Sequence, residues 1–159
     1  MSITVDYYFN WSGTLDELST EVRTWIGADL QPYKGEPGFL YCRLLGMEFT
    51  LGEHHLTNNA DLNFEDFRFE IGIRTPWPDA DFRPIQLFTM ASLVYALYRR
   101  LAITDGILVF DVQVLLARYE QRSLSTGERG LYDTVSGEFV SFPHHPISLF
   151  SKSRLAPKF

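Results

Sequence analysis

Four histidines, one cysteine and a set of acidic clusters are the groups in this 159-residue chain that could perform chemistry. His54-His55 follows Glu53, and His144-His145 stands between Pro143 and Pro146. Imidazoles hold zinc when several converge on one point. Adjacent residues of an extended chain point to opposite sides, so one such pair rarely gives two ligands to one ion. No His-x-His, His-x-x-x-His or Cys-x-x-Cys spacing accompanies them, and surface-loop histidines are expected, with no metal. Asp61-Leu62-Asn63-Phe64-Glu65-Asp66 puts oxygen ligands at alternate positions, as a calcium loop begins. That loop needs a glycine sixth and a bidentate glutamate twelfth, where this chain has Asp66 and Gly72. Calcium is not expected.

Nucleophiles fare no better. Cys42 lies between Tyr41 and Arg43 in an extended run, the setting of a buried structural thiol. No Gly-x-Ser-x-Gly, phosphate loop or Gly-x-Gly-x-x-Gly occurs. Asp111 and Gln113 interrupt the apolar run from Ile107 to Leu116 and would share one strand face, opposite Phe110, Val112 and Val114. They would line either a pocket floor or a hydrogen-bonded strand side. No catalytic residue and no cofactor is expected.

Charge is the more informative feature. Fourteen basic and 20 acidic residues leave a net charge of -6. A nucleic-acid binder needs a basic footprint, and this chain has none. Between Glu53 and Asp81 seven acids (Glu53, Asp61, Glu65, Asp66, Glu70, Asp79, Asp81) face two arginines, Arg68 and Arg74, leaving -5. Phe64 and Trp77 lie among them. Carboxylates around aromatic anchors suit a basic protein surface, because aromatics supply burial and acids supply orientation. Asp61, Phe64, Glu65, Asp66, Trp77, Asp79 and Asp81 are therefore the expected partner-binding residues. The competing explanation is an acidic solubilising loop.

The elements that must position these groups can be read from periodicity. Ile3–Phe9 alternates as a half-buried strand. Thr14-Leu15-Asp16-Glu17 forms a capping box, Leu15, Leu18, Val22, Trp25 and Ile26 follow at helical spacing, and Gly27 stops the helix. Pro32–Gly38 is a loop, and Phe39–Leu51 reads as one extended run, bent at Gly46. Phe67–Arg74 alternates strictly and is expected to be a strand, ended by Thr75-Pro76-Trp77-Pro78. Pro84 suits a helix start, Ile85–Leu101 is apolar nearly all round, and Asp105-Gly106 closes it. Ile107–Tyr119 is expected to be one long strand. Leu131–Phe142, with Ser136-Gly137 at its centre, is expected to be a hairpin.

The order predicts an α+β fold: β-α-β-β-α-β plus a C-terminal hairpin, one antiparallel or mixed sheet with two main helices on one face. That arrangement resembles a ferredoxin-like one with additions. One domain over 1–159 is expected, with 151–159 a loosely held tail. Met1–Asp6 has no basic region or apolar signal core, and Leu93–Leu101 is too short to span a bilayer. A single cysteine excludes an internal disulfide framework. Membrane attachment is not expected, and a cytoplasmic location is.

Leu44-Leu45-Gly46-Met47-Glu48-Phe49, the acidic segment, Phe67-Arg68-Phe69-Glu70-Ile71, Leu93–Leu101 and Val109–Glu120 together resemble small bacterial proteins encoded beside polymorphic or contact-dependent growth-inhibition toxins. The resemblance spans roughly Leu44–Glu120. It implies a non-enzymatic immunity protein that occludes the active site of a cognate toxin, and it carries over no functional residues. The alternative is a small-molecule-binding domain or enzyme with an aromatic-lined pocket, using Asp111, Gln113 and the histidines as polar groups.

Overall fold

A computed structural model describes residues 3–58, 62–75, 83–103, 105–112, 114–120 and 123–126. Among them the chain runs β1 (Ile3–Phe9), α1 (Leu15–Ile26), β2 (Gln31–Pro32), β3 (Phe39–Leu44), β4 (Met47–Glu53), β5 (Phe69–Thr75), α2 (Arg83–Leu101), β6 (Gly106–Phe110), β7 (Val114–Glu120) and β8 (Ser123–Thr126). A 3-10 turn, Phe64–Asp66, precedes β5. The strands form one open sheet in the order β2-β3-β4-β5-β1-β6-β7-β8, and every neighbouring pair is antiparallel. The fold class is α+β, with the sheet antiparallel throughout. Leu131–Phe142, His144-His145 and the tail lie outside the described residues.

α1 begins as its sequence demands. The Thr14 hydroxyl accepts from the Glu17 amide, and the Thr14 amide donates to the Glu17 carboxylate at 2.8 Å. Each bond satisfies a donor that the first helical turn leaves open. Gly27, at φ 64°, closes the helix by donating to the Arg23 carbonyl. Leu18 and Val22 of α1, with Met90, Leu93, Val94 and Leu97 of α2, bury against Val5, Tyr7 and Phe9 of β1. Phe49 and Leu51 of β4 and Phe69, Ile71 and Ile73 of β5 join the same cluster. Both helices thus cover one face of the sheet.

Two extended runs turn out to be hairpins. Leu45 and Gly46, at φ 52° and 81°, connect β3 to β4 with Leu44 paired to Met47. Two central residues at positive φ make the turn whose twist matches that of the flanking strands. The expected long strand Ile107–Tyr119 is likewise divided, because Asp111 and Val112, at φ 51° and 56°, reverse the chain between β6 and β7. Asp111 therefore does not lie on a strand face. Its amide donates to the Thr4 carbonyl, tying the turn to the start of β1. Gln113 lies outside the described residues.

Candidate functional site

On the helix-free face the registers lay side chains out in rows. Thr4, Arg74, Glu48 and Arg43 stand in one row across β1, β5, β4 and β3; Asp6, Gly72, Thr50 and Tyr41 form the next. Tyr8, Glu70, Gly52 and Phe39 form the third. β6 extends the last two rows with Val109 and Ile107. The Phe39 ring lies over Gly52, where an added Cβ would meet it at 2.6 Å. Tyr41 stacks on Tyr33 from the β2–β3 loop.

The segment 62–67 covers the Tyr8 end of this face. Leu62 and Phe64 are buried there with Tyr8, Ile107 and Val109 as a second apolar cluster. Phe64 meets Tyr8 edge-on at 4.8 Å between ring centroids, and His54 meets Tyr8 in the same way at 5.0 Å. Phe64 is only 1% exposed, so the expectation of a surface anchor is corrected: its ring fills a core that the helices do not reach. Alternation in a single segment could not reveal this second core, because it depends on which strands become neighbours.

Glu65 and Asp66 are exposed beside that buried ring. Asn58 holds Glu65 twice, accepting from its amide at 2.9 Å and donating to its carboxylate at 3.2 Å. Asn10 donates to the Asp66 carbonyl and accepts from the Arg68 amide. The two asparagines hold this acidic turn in one backbone arrangement. Elsewhere the acidic segment is partly neutralised. Glu53 pairs with Arg68 at 2.7 Å, and Glu70 is half-buried within the sheet. Asp61, Trp77, Asp79 and Asp81 lie outside the described residues.

His55 is exposed, whereas His54 is half-buried, and burial pushes its imidazole below the ordinary histidine range. His54 Nδ1 accepts from the Leu56 amide, which puts the proton of the neutral ring on Nε2. Cys42 is buried on β3, and burial pushes its thiol up, away from nucleophilic character. Among the described residues no three His, Cys, Asp or Glu side chains converge to hold a metal ion. No described helix is long and apolar enough to cross a membrane.

The polar cluster that sequence reasoning passed over is Asp6 and Glu70. Asp6 is 4% exposed in the middle of the sheet. A Cβ placed on Gly72 would meet Thr50 Oγ1 at 2.6 Å, Asp6 Oδ1 at 2.9 Å and Glu70 Oε1 at 3.7 Å, so three oxygen-bearing side chains crowd one point. Tyr8 is fully buried, and its hydroxyl lies beside Glu70 without an aligned hydrogen-bond partner among the described residues. An acid in an otherwise aromatic strand, Asp6 between Val5 and Tyr7-Tyr8-Phe9, is the signal that was available.

The chain matches no family model, no curated protein and no solved structure.

Proposed function

We propose that this chain is a non-enzymatic immunity protein, which binds and neutralises a cognate protein toxin with a basic surface in the cytoplasm. The observation that carries the reading is the pre-set acidic turn: Glu65 and Asp66 are exposed side by side while Asn58 and Asn10 hold their backbone. Asp61, Asp79, Asp81 and Trp77 extend the surface in this reading, with Trp77 as its aromatic anchor. A net charge of -6 adds long-range attraction for a basic partner. On the same footing we read β4-β5-β1-β6 with α1 and α2 as a ferredoxin-like β-α-β-β-α-β core, extended at both edges and by a C-terminal hairpin. The strand order supports that reading, since β1 and β4 run the same way with β5 between them, as do β5 and β6 with β1 between.

Co-expression with the product of the adjacent gene, followed by tagged co-purification, tests the function. A stoichiometric complex that dissociates at high salt is expected. Failure to form one, together with no protection from that protein's toxicity, would remove the proposal. A small-molecule reading draws on buried Asp6 and Tyr8 with half-buried Glu70 and Thr50, and a ligand retained through purification would favour it.

A further inference from the structure

Asp6 and Glu70 are not used by the acidic turn, yet their placement has consequences of its own. Asp6 sits on β1, flanked on both sides by strands, and Glu70 lies on the neighbouring β5, two residues from the Gly72 that faces Asp6. A carboxylate there has lost most of its water, and its neighbours decide how far that is offset. On β1, Thr4 hydrogen-bonds Asp6, and the Tyr8 phenol lies against Glu70. On β5, Arg74 favours the ionised form of Asp6, while Asp111 from the β6–β7 turn opposes it. Glu36 from the β2–β3 loop opposes ionisation of Glu70. β4 brings Thr50 and Glu48 to the face, His54 packs on Tyr8, and β6 contributes only apolar Ile107 and Val109.

We propose that Asp6 and Glu70, two carboxyls crowded around Gly72 inside the sheet, act together as a two-step proton switch on this face. Their mutual effect separates the two steps. Burial pushes Asp6 up to about 7. Burial first, and then the charge on Asp6, push Glu70 up to about 8. The group that ionises first meets a neutral neighbour, and the one that ionises second meets a charge. The folded chain holds these protons more tightly than the unfolded chain. Stability is therefore full below the unfolded carboxyl range, near pH 4. It falls as pH rises toward about 7 for Asp6 and about 8 for Glu70, then levels off. The same ionisation makes the face more attractive to cations. The switch needs no partner and stands or falls apart from the immunity reading.

A carboxyl-carbon NMR titration of the full chain, combined with melts across the same pH range, tests it. Asp6 should titrate near 7 and Glu70 near 8, far above exposed carboxyls. Removing one carboxyl, by Asp6→Asn or Glu70→Gln, should abolish the two-step titration and leave the other with a single midpoint below the upper of the pair's two. The parent's melting temperature should fall by more than roughly 10 °C between about pH 5 and about pH 9. Each variant should flatten part of that fall. Midpoints in the ordinary carboxylate range, a melting temperature unchanged with pH, or midpoints that both stay put when the other carboxyl is removed would overturn the proposal.

Discussion

At Leu45 a bulky side chain stands 69% exposed on a backbone at φ 52°. Such a conformation crowds the Cβ of an ordinary residue, whereas asparagine and glycine tolerate it. Leu45→Asn, which creates an Asn-Gly turn, should stabilise the protein by about 0.5–1 kcal/mol in urea unfolding. Loss of stability would mean that the place of Leu45 in the surface groove it lines with Trp25, Ile26 and Leu93 outweighs the strain. Phe64 presents the opposite case. Its ring is buried among Tyr8, Ile107 and Val109, so Phe64→Ala should cost about 3–5 kcal/mol, read as a lowered melting temperature. A variant that melts like the parent would contradict the second core. Thr14→Ala removes one half of a reciprocal cap and should cost about 1 kcal/mol, with Thr14→Ser close to neutral.

The elements divide by how much of their evidence is local. α1 was legible to the residue because its cap, its stripe and its Gly27 stop all lie within one stretch of chain. β5 is shifted from the expected Phe67–Arg74 to Phe69–Thr75, since a strand's limits depend on the partner it pairs with. The β3–β4 turn left a trace in Gly46, which reads equally as a bend. The turn at Asp111-Val112 left only the polar break at Asp111, because neither glycine nor asparagine occupies it and Val112 adopts positive φ against its own preference. The acidic pair was hidden for a related reason. Glu70 alternates with apolar residues as a solvent-facing side chain would, and only the neighbouring strands and the 62–67 segment that covers Tyr8 draw it half out of solvent. Gly72→Ala probes this crowding at element scale. Its new methyl must displace Thr50 and Asp6, and a loss of about 1–3 kcal/mol is expected. Gly27→Ala, with open space around it, should lose about 1 kcal/mol through backbone strain alone. Equal stability of Gly72→Ala and the parent would show that the three oxygens yield freely.

Across the whole molecule, the question is what the excess of acid accomplishes in the proposed binding role. Glu53 is spent on Arg68 and Glu70 is drawn into the sheet, so the exposed charge of the described part of the segment falls to Glu65 and Asp66. With Asp61, Asp79 and Asp81 they make up the five acids expected to steer a basic partner. Exposed rim carboxylates act mainly on encounter, because their field reaches a partner still separated by solvent and is screened by salt. A desolvated aromatic acts mainly on dissociation, because its contacts exist only in the bound state. Neutralising Asp61, Glu65, Asp66, Asp79 and Asp81 together to Asn or Gln should therefore lower the association rate with the toxin and flatten its dependence on ionic strength. Trp77→Ala should leave the association rate nearly unchanged and raise the dissociation rate, at a cost of about 2 kcal/mol. Melting curves recorded in parallel separate a lost contact from a lost fold, since a variant with an intact core keeps the parent's transition. Stopped-flow association rates at two salt concentrations read the first effect directly, and five-fold variants that associate as fast as the parent would exclude this surface.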